Sequence, residues 1–319
     1  MYKISAMAEK DEIHRLMQEA INRHKGPVTK DILDSIAAEV MNRINNRPLP
    51  ETEGLSPIQL QGLLYHLFGP QSLVKVSRNV KLGQDVQSPF LSFCLHYLDI
   101  LQRENEVKLT KTGAMPVKHV RELTDLKIVE DIWHHILIPV RTEKDSSPIL
   151  MTRWLCKDLE LTKIRNGKLS LTHKGTQLKD SPSELLAELT IALFTRISWG
   201  SMDGYESKMA GQHGAGFTLV LLKRYGKEER SANFYAEKFM KAFPVVLDEF
   251  NPRFGRSREE VFTDCYTFRT FEQSLNWLGI VETRETGSFR EMNIQKWVKT
   301  TPLFEDLFVW DDIFFDGYS

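Results

Sequence analysis

Cysteine is scarce in this chain and never paired. Cys94, Cys156 and Cys265 are its whole complement, and no Cys-x-x-Cys spacing occurs in the 319 residues. The paired ligands of a zinc site are therefore missing, and an odd, dispersed count fits reduced thiols better than a disulfide framework. Each cysteine lies in an apolar helical pattern, where it behaves as a small hydrophobe. Net charge is nearly absent as well. A formal charge of -1 and a pI near 6.8 lack the basic excess by which most dedicated nucleic-acid binders are recognised. No uninterrupted apolar run approaches the ~18 residues of a membrane span, and Met1 to Glu12 has no apolar signal-peptide core. Together these absences predict a cytoplasmic protein with no membrane partner, no metal and no cofactor. There is also no G-x-S-x-G elbow, no P-loop ending in Gly-Lys-Ser/Thr and no Cys–His signature. The motifs do not point to an enzyme, although a triad scattered along a chain leaves no such trace.

What the chain does have is core material and repetition. With 41% hydrophobic and 27% charged residues it has enough apolar content to bury, and its length suits two domains or a few small modules. One short phrase occurs three times: Lys108 to Gly113, Leu169 to Gly175 and Trp297 to Pro302. Each is a short apolar strand running into a threonine (Thr110, Thr172, Thr300) placed to begin a helix. Each follows a helical stretch: Phe90 to Arg103, Ile149 to Leu159 and Phe262 to Leu278. Helix, short hairpin and Thr-capped helix is the order of a winged helix-turn-helix module.

Local signals fill in the rest. Ile13, Leu16, Met17, Ala20 and Ile21, then Ile32 to Ile44, follow helical spacing on either side of Gly26-Pro27, with Thr29 as a cap, so a helical hairpin opens the chain. Ser56-Pro57, Ser88-Pro89, Ser147-Pro148 and Ser181-Pro182 each precede an apolar periodic run. Serine at N-cap with proline at N1 marks a helix start, and Glu184 and Glu260 complete capping boxes with Ser181 and Ser257. Asn166-Gly167 between two strand-like runs predicts a two-residue type I′ turn, the tip of a wing. A third, more polar hairpin is expected from Ile280 to Val298, turning near Gly287. The fold class that follows is mainly α with small β-hairpins: a helical hairpin, then tandem winged-helix-like repeats.

Three segments are candidates for function. The second wing region carries Lys163, Arg165, Lys168 and Lys174, which could meet phosphate in DNA or RNA; solvated lysines that protect a sheet edge are the simpler reading. The helices before the first two wings are apolar on most faces, which argues for burial rather than base readout. The second segment, Gly211, His213, Gly214, Gly216 and Thr218, leads into a helix and could cradle an anion, with Asp203, Glu206 and His213 near enough for acid–base chemistry. Here tight backbone geometry is the simpler reading. The third segment, Phe304 to Tyr318, interleaves aromatic and acidic residues and could dock on a basic, apolar groove of a partner; a last helix folded onto the core is the simpler reading. His134-His135 are adjacent, so on a helix they point about 100° apart and do not make an i, i+4 metal pair.

Asn45-Asn46-Arg47-Pro48, Gly54-Leu55-Ser56-Pro57, Lys108 to Pro116 and Phe234-Tyr235-Ala236-Glu237-Lys238 carry a resemblance, continued by Phe243-Pro244, Cys265-Tyr266, Arg269-Thr270-Phe271 and Thr301 to Phe304. In these stretches the chain resembles a group of uncharacterised bacterial proteins with tandem winged-helix-like repeats, some of whose relatives carry a zinc-binding SEC-C motif. The SEC-C cysteines do not occur here, so the resemblance implies the fold and no metal or catalytic residue. The organisation expected is a hairpin (1–50), winged-helix-like modules at 51–146, 147–199 and 257–319, and a glycine-rich helical region at 200–256. Non-enzymatic contact with a protein partner is the leading expectation for function. Nucleic-acid binding through the second wing comes next, and a small-ligand or enzymatic site at Gly200 to Gly216 third.

Overall fold

The computed structural model describes residues 6–129, 140–201, 203–207, 210–287 and 294–311. Helices dominate, and the strands make small antiparallel sheets of two, three and three strands. The fold is thus mainly α with small β-hairpins, as the periodicity predicts. His134 and His135 lie outside the described residues, as do Phe314, Phe315 and Tyr318.

The chain opens with the expected hairpin, α1 (Ala6–Arg23) and α2 (Lys30–Asn45), the second capped by the Thr29 hydroxyl. Leu16, Ile36, Val40 and Ile44 make a small core of their own. After α3 (Pro57–Tyr65) and the short strand β1 (Val74–Val76) comes α4 (Pro89–Glu104). Its nearly all-round apolar sequence has the consequence expected of it: Phe90, Phe93, Cys94, Tyr97, Leu98 and Leu101 are among its buried residues. Around it are arranged β2 (Val107–Lys108), α5 (Val117–Thr124), α6 (Ser147–Asp158), the hairpin β3 (Thr162–Arg165) and β4 (Lys168–Leu171), and α7 (His173–Lys179). The sheet order is β2-β4-β3. Asn166 and Gly167 both take positive φ, 50° and 70°, and form the hairpin tip.

Following α8 (Pro182–Thr195), the same order returns. It runs α9 (Ala215–Tyr225), β5 (Arg230–Ser231), α10 (Ala232–Ala242), α11 (Arg258–Tyr266), β6 (Val281–Thr286), β7 (Gln295–Thr300) and α12 (Pro302–Leu307). Its sheet order is β5-β7-β6, again first strand, third, second. Helix α11 continues as a π-helix over Thr267–Leu275 and a last α-turn at Asn276–Leu278. The hairpin expected from Ile280 to Val298 is present, with Val281 opposite Thr300 and Thr286 opposite Gln295. The chain then returns as β8 (Phe308–Trp310) to pair with β1, burying Phe304 and Phe308. The acidic–aromatic end is therefore a helix followed by a strand within the described residues, not a helix alone.

Four local expectations need correction. Thr110 begins no helix: its hydroxyl accepts from the Ala114 amide at 3.0 Å, and Gly113 at φ +77° turns the backbone left-handed, so α5 starts only at Val117. Nor does the first phrase own a hairpin, since Val107 and Lys108 pair with Leu169 and Lys168. The stretches 51–146 and 147–199 thereby share one sheet. Ser181 makes no side-chain cap, because its ψ of 70° turns it out of the extended geometry that Ser257 holds at 168°. Ser257 does form its box with Glu260. Finally, α6 is entered from Ser146 rather than Ser147.

Candidate nucleic-acid interface

Side chains directly opposite one another on paired strands share a face. On the first sheet Arg165 lies opposite Lys168 and Lys168 opposite Lys108, so three cations line up across all three strands. Lys163, two residues along β3, stands on the same face opposite Ser170. The other face turns Val107 and Leu169 into the core. Among the described residues the only acid paired with this row is Glu106, 2.6 Å from Lys168 Nζ and largely exposed. An exposed pair of that kind contributes at most about 1 kcal/mol. Lys108, Lys163 and Arg165 form no salt bridge among the described residues. Like charges set directly opposite destabilise a sheet, and here the chain tolerates them.

The second sheet shows that the scaffold does not require this. At the matching positions Glu282 lies opposite Lys299 and Arg284 opposite Trp297. Arg284 pairs with Glu229 at 2.5 Å, and its guanidinium lies 5.8 Å from the Trp297 ring centre. Ser231 takes the place of Lys108 in the row. The hydrogen bond between the two lowers the Glu229 carboxyl below its ordinary range. One copy of the arrangement matches its charges and the other accumulates them.

Lys163, Arg165 and Lys168 are thus brought together as the sequence predicts, while Lys174 sits apart on the first turn of α7. Lys108 was missed, because its partner strand lies about sixty residues away in sequence and nothing local announces the pairing. Helix α6, preceding the hairpin, offers little for reading bases. Arg153 is tied to Glu143 and to the Gly113 carbonyl, which leaves Trp154, Lys157 and Asp158 outward.

The glycine-rich segment is placed by packing. Gly214 takes φ +102° ahead of α9, and a Cβ there would stand 2.7 Å from the Phe239 ring. One on Gly211 would meet Thr270 Oγ1 at 2.9 Å, and one on Gly216 the Leu63 carbonyl at 2.8 Å. Thr218 is buried, sharing a hydrogen bond of 2.7 Å with the Tyr266 hydroxyl. Asp203 is engaged with Arg269 rather than with His213, and Glu206 accepts from Asn251. His213, with Gln212 beside it, reaches a cleft of about 330 Å³ between Tyr65, Phe194 and Arg196. Burial holds its imidazole below the ordinary value, towards the neutral form. No group of three or more His, Cys, Asp or Glu side chains suited to a metal occurs among the described residues. Among them, too, no helix is long and apolar enough to cross a membrane.

Residues 86–184 match the Y4jL N-terminal domain family. That stretch runs from just before α4 to the start of α8 and contains the whole of the first sheet with its basic row. No curated protein and no solved structure matches the chain.

Proposed function

We propose that the two like-ordered units are tandem winged-helix-like modules, and that the first binds the nucleic-acid backbone through its hairpin. The observation that carries this is the row Lys108–Lys168–Arg165, with Lys163 beside it. Opposed cross-strand side chains have Cβ atoms about 5 Å apart, so the cations repel in the free protein and are relieved by a polyanion. The second module supports the reading by contrast, since the same positions there set Glu282 opposite Lys299 and place Arg284 beside Glu229 instead of stacking cations. Phosphate contacts position a protein without reading sequence, and the outward side of α6 carries only Lys157 among good base readers. The binding is therefore sequence-independent, of modest affinity and strongly salt-dependent.

The test is titration of a labelled random-sequence duplex at low and moderate salt. With three or four phosphates neutralised, log K should fall with log salt at a slope of about −3. Changing Lys163, Arg165 and Lys168 together to Glu should abolish the shift. Arg165→Glu alone is the sharper variant, because it faces Lys168 with an opposite charge. It should weaken binding while leaving thermal stability unchanged or raised, by up to about 1 kcal/mol. A wild-type protein that shifts no duplex at low salt would overturn the proposal.

A second reading, contact with a protein partner, is favoured by Leu150 and Trp154. They stand one helical turn apart on α6, and Trp154 is 37% exposed. In that case Trp154→Ala would lose a co-purifying partner while the duplex titration stays silent.

A further inference from the structure

Between α10 and α11 the chain makes a second two-residue turn of the same kind as the Asn166-Gly167 tip. Arg253 and Arg256 bridge in antiparallel fashion, exchanging N–H···O bonds of 3.1 and 3.0 Å. The two residues between them, Phe254 and Gly255, take φ of 52° and 77°. Such a turn demands positive φ twice, which Asn tolerates and a bulky side chain adopts only at a cost. At the hairpin tip the chain meets the demand with Asn; here it uses Phe, and leaves it 88% exposed. Among the described residues the next most exposed large hydrophobic side chain, Tyr65, is 58% exposed. An unfavourable backbone state and an unburied ring together serve no packing purpose, and strained residues of this kind concentrate at contact sites.

The surroundings identify the contact. Residues 251–258 contain Arg253, Arg256 and Arg258, all exposed, and the exposed acids Glu259 and Glu260 follow at the start of α11. Arg256 is held by Asp264 and braces the turn from behind. Arg253 and Arg258 form no salt bridge among the described residues. The Arg253 guanidinium lies 5.0 Å from the Phe254 ring centre and covers one face. The other face remains free. A protein pocket that swallowed the ring would have to displace Arg253, whereas a nucleobase needs one flat face only and brings a phosphate for the arginine.

We propose that the Arg253–Arg256 turn is a single-stranded nucleic-acid contact, in which Phe254 stacks on an unpaired base and Arg253 and Arg258 meet the flanking phosphates. Sequence-tolerant stacking on an aromatic ring beside cations is the general means of holding single strands. The inference adds a second surface to the nucleic-acid reading, but its observations are its own and it fails separately.

The experiment uses the full chain and three labelled probes: oligo-dT, oligo-U and a random-sequence duplex. Phe254→Asn suits the turn better than phenylalanine, so its thermal midpoint should stay or rise. Its affinity for the preferred oligonucleotide should fall about tenfold, the loss of one stacked base. Phe254→Tyr should retain binding. The Lys163, Arg165, Lys168 triple reversal should lose duplex and keep the oligonucleotide. Tighter binding of one of oligo-dT and oligo-U assigns DNA or RNA, and either supports the proposal. It is overturned if wild-type protein binds neither oligonucleotide at low salt, or if Phe254→Asn binds as well as wild type. A protein partner lost on Phe254→Asn, with both oligonucleotides unbound, would overturn it in favour of a protein contact.

Discussion

Thr172 and Thr301 hold the same place in two copies of one local structure. The Thr172 hydroxyl donates to the Glu160 carbonyl at 2.7 Å with that of Leu161 at 3.2 Å, and the Thr301 hydroxyl donates to Gly279 at 2.6 Å with Ile280 at 3.3 Å. In both cases the accepting residue ends a helix in the left-handed region, Glu160 at φ 58° and Gly279 at φ 79°. The threonine's own amide closes the same ring, Thr172 N–H donating to Leu161 O and Thr301 N–H to Ile280 O, at 3.0 and 3.1 Å. The threonine therefore ties the end of the hairpin to the helix before it. Only Thr172 does more, since its hydroxyl also accepts from the Gly175 amide at 2.9 Å.

That asymmetry makes a prediction. Thr172→Ala should cost about 2 kcal/mol, at the upper end of a lost cap, and Thr301→Ala about 1 kcal/mol. Urea unfolding of both variants checks it, and equal losses would show that the cap on α7 contributes nothing.

Arg269 is fully buried on the π-helix and donates to both oxygens of Asp203 and to the carbonyls of Ala210 and Ser207. Removing one partner leaves the other as an uncompensated buried charge. Asp203→Ala should therefore destabilise by roughly 3–5 kcal/mol, read as a lowered unfolding midpoint. A loss under about 1 kcal/mol, the range of exposed pairs, would show that the clasp is hydrated in solution.

Glu53 titrates against its surroundings. Burial alone would raise its carboxyl, but hydrogen bonds from Lys238 at 2.8 Å and from the Tyr225 hydroxyl at 2.5 Å outweigh it, and the net shift is downward. A folded-state value below the unfolded one of about 4.3 gives stability that is complete above that pH and lost as pH falls through the folded value. Thermal midpoints of the wild type should therefore fall more steeply below about pH 4.3 than those of Glu53→Gln. Parallel curves would refute the assignment.

Gly214→Val should destabilise. It places a β-branched residue at φ +102° and a Cβ within 2.7 Å of the Phe239 ring. Overpacking of this sort costs about 1–3 kcal/mol before backbone strain is added. Circular dichroism melts decide it: an unchanged midpoint would mean that the segment has room for a ligand that the packing geometry denies.

Much of the architecture was legible because it rests on short-range chemistry. The Asn166-Gly167 turn, the Thr29, Ser88 and Ser257 caps and the burial of α4 follow from what one or two neighbouring residues allow. Thr110 misled because its phrase matches that of Thr172 while Gly113, three residues on, takes a left-handed φ. Nothing local announces the turn at Phe254, since a Phe-Gly pair does not resemble the favoured residues of a type I′ turn.

By itself the sequence determined the helical class, the hairpin tip and which stretches must be buried, all through local propensity and periodicity. Tertiary structure alone decided that Lys108 joins Lys168 and Arg165 in one row, and that Asp203 finds Arg269 sixty-six residues away. It also decided that the first of the three phrases has no hairpin of its own, because Val107 and Lys108 pair with β4. Pairings of this kind depend on which backbone groups meet once the helices have packed, and no residue carries that information in its immediate neighbours.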